Sequence, residues 1–97
     1  MDGVACRTLD PAAVEVICAG GAADVVEVPD EATADAMRLL HRCTHNVPEP
    51  AGAIALAGML SRREQHRGER VAVVVTGGND SDLYNDSDLY AAVLSGR

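Results

Sequence analysis

Apolar and polar positions follow two rhythms along this chain. From Glu31 to Thr44, EATADAMRLLHRCT, apolar residues return every three or four positions. That period puts Ala32, Ala36, Leu40 and Cys43 on one face and predicts an amphipathic helix, with Pro29-Asp30 capping its start. A second helix is predicted after Pro50, over AGAIALAGMLSRREQHR, ending at Gly68. Its first ten residues are small and apolar on every side, a pattern expected of a helix buried all round. Its last two turns read as a solvated face. Near the N-terminus, Asp10-Pro11 reads as a cap and first helical residue, and AAVEVICA as a short helix stopped by Gly20-Gly21, although its Val and Ile content also allows a strand.

The other rhythm is extended. DVVEV at 24–28 and VAVVVT at 71–76 read as strands, the second a continuous apolar run suited to a parallel strand covered on both faces. The expected class is therefore α/β, an incomplete three-layer domain with short parallel strands (about 24–28 and 71–76) and helices packed on them. The chain divides into residues 1–78 and an acidic tail, 79–97. In the tail NDSDLY at 79–84 is repeated at once at 85–90. Six residues are too short for a solenoid unit, so this is a local duplication. AAVLSGR follows as a short helix, capped by Asn85 or Asp86.

Composition narrows the functions. The chain has 97 residues, no Phe and no Trp, so its core is expected to be thin. The formal net charge is −7, and all eight basic residues are arginine. An acidic chain with no basic stripe is a poor ligand for nucleic acid or an anionic membrane surface. No stretch is long and apolar enough to span a bilayer. Cys6, Cys18 and Cys43 do not form a disulfide framework. They fit reduced thiols of a cytoplasmic protein, buried or inert.

Three clusters could carry chemistry and are read more plainly. His41-Arg42-Cys43-Thr44-His45 contains H-x-C-x-H. On a helix, residues two apart point in nearly opposite directions, so the three cannot converge on a metal. Asp80, Asp82, Asp86 and Asp88 lack the loop glycine and closing glutamate of a calcium loop. Arg62, Arg63, Arg67 and Arg70 read as a helix end favoured by the dipole.

The turn after the last apolar run, Thr76-Gly77-Gly78-Asn79, is different. A hydroxyl and two glycines at a strand end suit close approach of a ligand to the backbone. On spacing alone an ordinary strand-ending turn explains them as well.

Read together, the runs DGVACRTLDPAAVEVI, ADVVEVPDEATADAMRLLHRCTHNVPEPAGAIALAGML and GERVAVVVTGGN resemble the C-terminal part of the threonine/serine dehydratase family. These are pyridoxal-phosphate enzymes of the tryptophan-synthase-β-like fold. EPAGA opening a small-residue helix, with a GGN turn after an apolar run some residues later, is the specific part. The resemblance implies that Thr76 stands where the family's serine hydroxyl meets the pyridine nitrogen. It implies that Gly77 and Gly78 let the backbone pass near the ring, and that Glu49 lies near the cofactor. Glu49 is also in place to cap the helix at Pro50. Asp80 replaces the aliphatic residue that usually follows Gly-Gly-Asn.

A pyridoxal-phosphate lyase holds its cofactor on a lysine amine, and this chain has no lysine. The family's glycine-rich phosphate loop, the asparagine beside the ring hydroxyl and the acidic metal site are absent as well. The expectation is a fragment of a dehydratase converting L-threonine or L-serine to a 2-oxo acid and ammonia. Alone it would be inactive, with no covalently held cofactor and no catalytic residue of its own. Its partners would be the missing N-terminal part or another subunit, or a second copy. The alternative is a non-catalytic interaction module, or a vestigial product, that buries its apolar segments on a partner.

Overall fold

The computed structural model describes residues 4–78 and 87–96. Among the described residues four α-helices run in chain order: α1 (Pro11–Val16), α2 (Asp30–Thr44), α3 (Pro50–Ser61) and α4 (Ser87–Ser95).

Local chemistry explains the helix ends. Asp10 caps α1, its side chain accepting from the Ala12 N–H at 3.1 Å, and Pro11 fills the first turn. After α1 the chain makes one wide turn, Ile17–Gly21, closed by the Ala22 N–H donating to the Ile17 carbonyl at 3.3 Å. Gly20 has φ of 110°, a conformation that a side chain would strain. At the start of α2, Asp30 is already helical, and Pro29 takes the cap position without a side-chain bond. The Pro29 carbonyl instead accepts from the Thr33 N–H at 3.2 Å and from its hydroxyl at 3.4 Å. Asp30 and Glu31 in the first turn, with His41 and Arg42 in the last, both suit the helix dipole. His45 ends α2 with φ of 57°.

The core lies where α2 crosses α3 and α4. Ala36, Met37, Leu40, Ala53 and Ala57 are buried, with Val28, Ala32, Leu56, Val93 and Leu94 packed around them. Small residues on α3 let α2 approach closely. They also give little apolar area, so the core is thin.

Several expectations are corrected here. Among the described residues there is no strand, so the described fold is helical rather than α/β. A strand exists only when its N–H and C=O groups find a ladder partner. Neither 24–28 nor 71–76 pairs with the other or with any other described segment. The second helix stops at Ser61, not Gly68. Beyond it the N–H groups of Arg62, Arg63, Gln65 and His66 reach carbonyls three residues back, in consecutive tight turns. SRREQHR has no apolar face to hold a longer helix against the core. α3 is not buried all round either. Gly52, Ala53 and Ala57 are buried, Ala55 is exposed, and Ile54, Leu56, Met59 and Leu60 are half-buried. Cys43 is exposed, like Cys6 and Cys18, since none of the described residues covers the last turn of α2 at that position. The helix expected over AAVLSGR is α4, while Asn85 and Asp86 lie outside the described residues.

The body is flat, 41 × 36 × 19 Å. Its accessible surface is 7387 Å², whereas a compact monomer of 10.1 kDa exposes about 5,300 Å². Much of the surplus is apolar: Val16, Val25, Val26, Val47, Val71, Val74 and Val75 are all exposed.

Candidate functional site

The turn at 76–78 meets the start of α3, and glycine makes the meeting close. The Glu49 N–H donates to the Gly77 carbonyl at 3.1 Å, tying the turn to the residue before α3. Beneath that bond Gly52 lies buried. A Cβ there would overlap the Gly77 carbonyl oxygen and stand 3.1 Å from the Gly77 nitrogen. On the other side, a Cβ on Gly77 would stand 2.8 Å from Glu49 Oε1. A Cβ on Gly78 would overlap the Val47 carbonyl oxygen. Pro48, between Val47 and Glu49, is fully buried. Two backbone segments are thus in van der Waals contact, with a glycine wherever a side chain would separate them.

Glu49 occupies the cap position of α3, but its side chain makes no cap hydrogen bond. Its carboxylate lies instead against Gly77. Thr76 precedes the pinned residue and is exposed, so its hydroxyl is accessible to a ligand. Of the four residues singled out from sequence, Glu49 and Gly77 are in direct contact. Thr76 and Gly78 flank Gly77 in the same turn. Gly52 was missed as part of this junction. Its sequence signal is the run of small residues Gly52, Ala53, Ala55, Ala57 and Gly58, which lets a neighbour approach the backbone closely without saying which neighbour.

The other clusters stay apart. Arg62 pairs with Asp24 at 2.5 Å, and Arg67 with Glu64 at 2.6 Å. The Arg62 hydrogen bond holds the Asp24 carboxyl below its usual 3.8, helped by the Val25 N–H and the guanidinium charge. Among the described residues no group of three or more His, Cys, Asp or Glu could hold a metal ion. Asp80, Asp82 and Asp86 lie outside the described residues. Also among the described residues, no helix is long and apolar enough to cross a membrane.

A sequence profile of the pyridoxal-phosphate dependent enzyme family matches residues 1–77. An L-threo-3-hydroxyaspartate ammonia-lyase of Pseudomonas sp is 36% identical over 73 residues, 75% of this chain and 21% of that protein. A biosynthetic L-threonine dehydratase of Salmonella typhimurium is 45% identical over 58 residues, 58% of this chain and 11% of that protein. A beta-hydroxyaspartate dehydratase of Paracoccus denitrificans is 39% identical over 56 residues, 58% of this chain and 18% of that protein. The chain thus spans about a fifth or less of the length of these relatives. No solved structure matches it.

Pyridoxal phosphate is therefore the cofactor of the intact enzyme. The residues present fit one edge of it. An exposed hydroxyl at Thr76, on a turn immobilised by Glu49 and Gly52, can meet a ring nitrogen as donor or acceptor. The amine that would hold the cofactor covalently is not among the side chains of this sequence. The junction at Glu49 and Gly77 falls inside the matched span, and on that match the chain belongs to the pyridoxal-phosphate-dependent enzyme family.

Proposed function

We propose that this chain is the C-terminal portion of a cytoplasmic pyridoxal-phosphate-dependent dehydratase, converting L-threonine or L-serine to a 2-oxo acid and ammonia. The observation that supports the reading is the glycine-lined junction that ties Gly77, the residue after Thr76, to Glu49. When bound, the cofactor supplies the electron sink for loss of the β-hydroxyl. Thr76 is the ring-nitrogen partner, and its neutral hydroxyl leaves that nitrogen less protonated than a carboxylate would. Gly77 and Gly78 bring bare backbone to the ring edge. Glu49 is a positioning residue, its N–H holding the Gly77 carbonyl and its carboxylate lying on the same glycine. The lysine that holds the cofactor and moves the α-proton comes from sequence outside this chain. Alone the chain is inactive.

A chimera tests this. Residues 1–77 replace the matching stretch of the Salmonella L-threonine dehydratase, and 2-oxo acid formation is followed. Turnover is expected, retained by Thr76→Ser and lost, about 100-fold or more, in Thr76→Val. Equal turnover in all three forms of a folded chimera would overturn the role given to Thr76.

The exposed valines favour a second reading, a module that packs on a larger chain or on a second copy. It is tested by sedimentation: a cooperative monomer at high concentration would remove it.

A further inference from the structure

Arg38, His41, Arg42 and His45 recur at the spacing that lines up one side of a helix. With Leu94 of α4 they line a cleft of about 520 Å³. Among the described residues no carboxylate lines it, in a chain whose net charge is −7. Arg38 is held at two points. Its Nε–H donates to the Val93 carbonyl of α4, and Nη1 pairs with Asp35 on the preceding turn. The guanidinium therefore sits where the two helices meet, with further N–H groups left over. Arg42 makes no ion pair among the described residues.

A helix dipole favours basic groups in the last turn, which accounts for His41 and Arg42. It does not account for Arg38, which lies well before that turn, nor for a cleft closed by a second helix. A metal ion does not fit, because two guanidinium cations flank the imidazoles and would repel it. The volume falls in the range of small-ligand sites, about 300–1,000 Å³. Planar guanidinium donors beside imidazole N–H groups match the oxygens of phosphate or clustered carboxylates.

We propose that this cleft binds a small multivalent oxyanion. The site stands independently of the dehydratase reading. It does share the 45–49 loop with the Glu49–Gly77 junction, since His45 ends α2 where that loop begins.

The test titrates the isotope-labelled full chain with pyrophosphate at low salt and, separately, with citrate. Saturable amide shifts are expected in residues 38–45 and 91–96, weakening as salt is raised. Arg42→Gln should weaken binding about tenfold, the loss of one charged hydrogen-bonding group. Arg67→Gln, on the paired surface beyond α3, should change nothing. Binding of pyrophosphate alone assigns a phosphate-bearing ligand; binding of citrate, alone or as well, assigns the site to carboxylates too. Shifts that do not saturate, shifts centred on 62–70, or equal affinity in Arg42→Gln would overturn the proposal. So would a spectrum showing α4 undocked from α2, since the cleft exists only where they pack.

Discussion

Two glycines of one helix should respond in opposite directions to the same substitution. In α3, Gly52→Ala places a Cβ on the Gly77 carbonyl and within 3.1 Å of the Gly77 nitrogen, backbone atoms that cannot step aside as a side chain could. Gly58→Ala meets only Val28 Cγ2, at an ordinary 3.6 Å. Alanine in a helix interior is better than glycine by about 0.5–1 kcal/mol. Gly58→Ala should gain roughly that amount. For Gly52→Ala the same gain is opposed by overpacking of about 1–3 kcal/mol. Loss of the Glu49 to Gly77 hydrogen bond adds about 1 kcal/mol. The expected net is a destabilisation of about 1–3 kcal/mol, from the sum of these terms. Urea unfolding followed by far-ultraviolet circular dichroism reads both changes against the parent chain. An unchanged or raised midpoint in Gly52→Ala would refute the junction as described. So would an equal loss in Gly58→Ala, which would trace both effects to the helix and not to its contact with the turn.

Three further outcomes are expected. Leu40→Ala, in a core with few large side chains, should cost about 2–4 kcal/mol in the same unfolding assay. Asp24 should titrate below 3.8, and Arg62→Gln should move it back toward 3.8, followed by the carboxyl resonance. Its folded-state value is depressed, so any stability it adds is present above the unfolded value and lost as pH falls through the folded one. With Asp24 fully exposed, the pair should leave the unfolding midpoint at neutral pH nearly unchanged. The purified chain, supplied with pyridoxal phosphate and L-threonine or L-serine, should form no 2-oxo acid. Turnover by a preparation free of host dehydratase would contradict the need for a lysine from elsewhere.

Where a signal is local, the sequence was enough to place it. Asp10-Pro11, Gly20-Gly21 and Pro50 mark helix ends through caps and fixed φ, and the structure has boundaries at each. The amphipathic period of α2 likewise located Ala36 and Leu40 in the core. What failed depended on partners distant in sequence. An apolar run such as 71–75 reports that side chains avoid water, but a ladder needs another segment's backbone, and none of the described residues supplies it. The end of α3 was overextended because helix-forming residues in SRREQHR continue past the packed face. Arg62 there turns to Asp24 instead. At the junction, Glu49, Gly77 and Gly78 were legible through the EPAGA and GGN motifs. Gly52 was not, since its need for glycine arises from a carbonyl 25 residues away that folding brings over it.

The most direct test of the central claim is the mass of the natural product. An antibody to the duplicated NDSDLY peptide, used on cells that express the gene, reads it in one blot. The account predicts a polypeptide several times larger than 10.1 kDa, in line with relatives of which this chain covers about a fifth or less. A single band at 10.1 kDa would contradict the dehydratase reading. It would leave the exposed valines and the partner that covers them as the function to be explained.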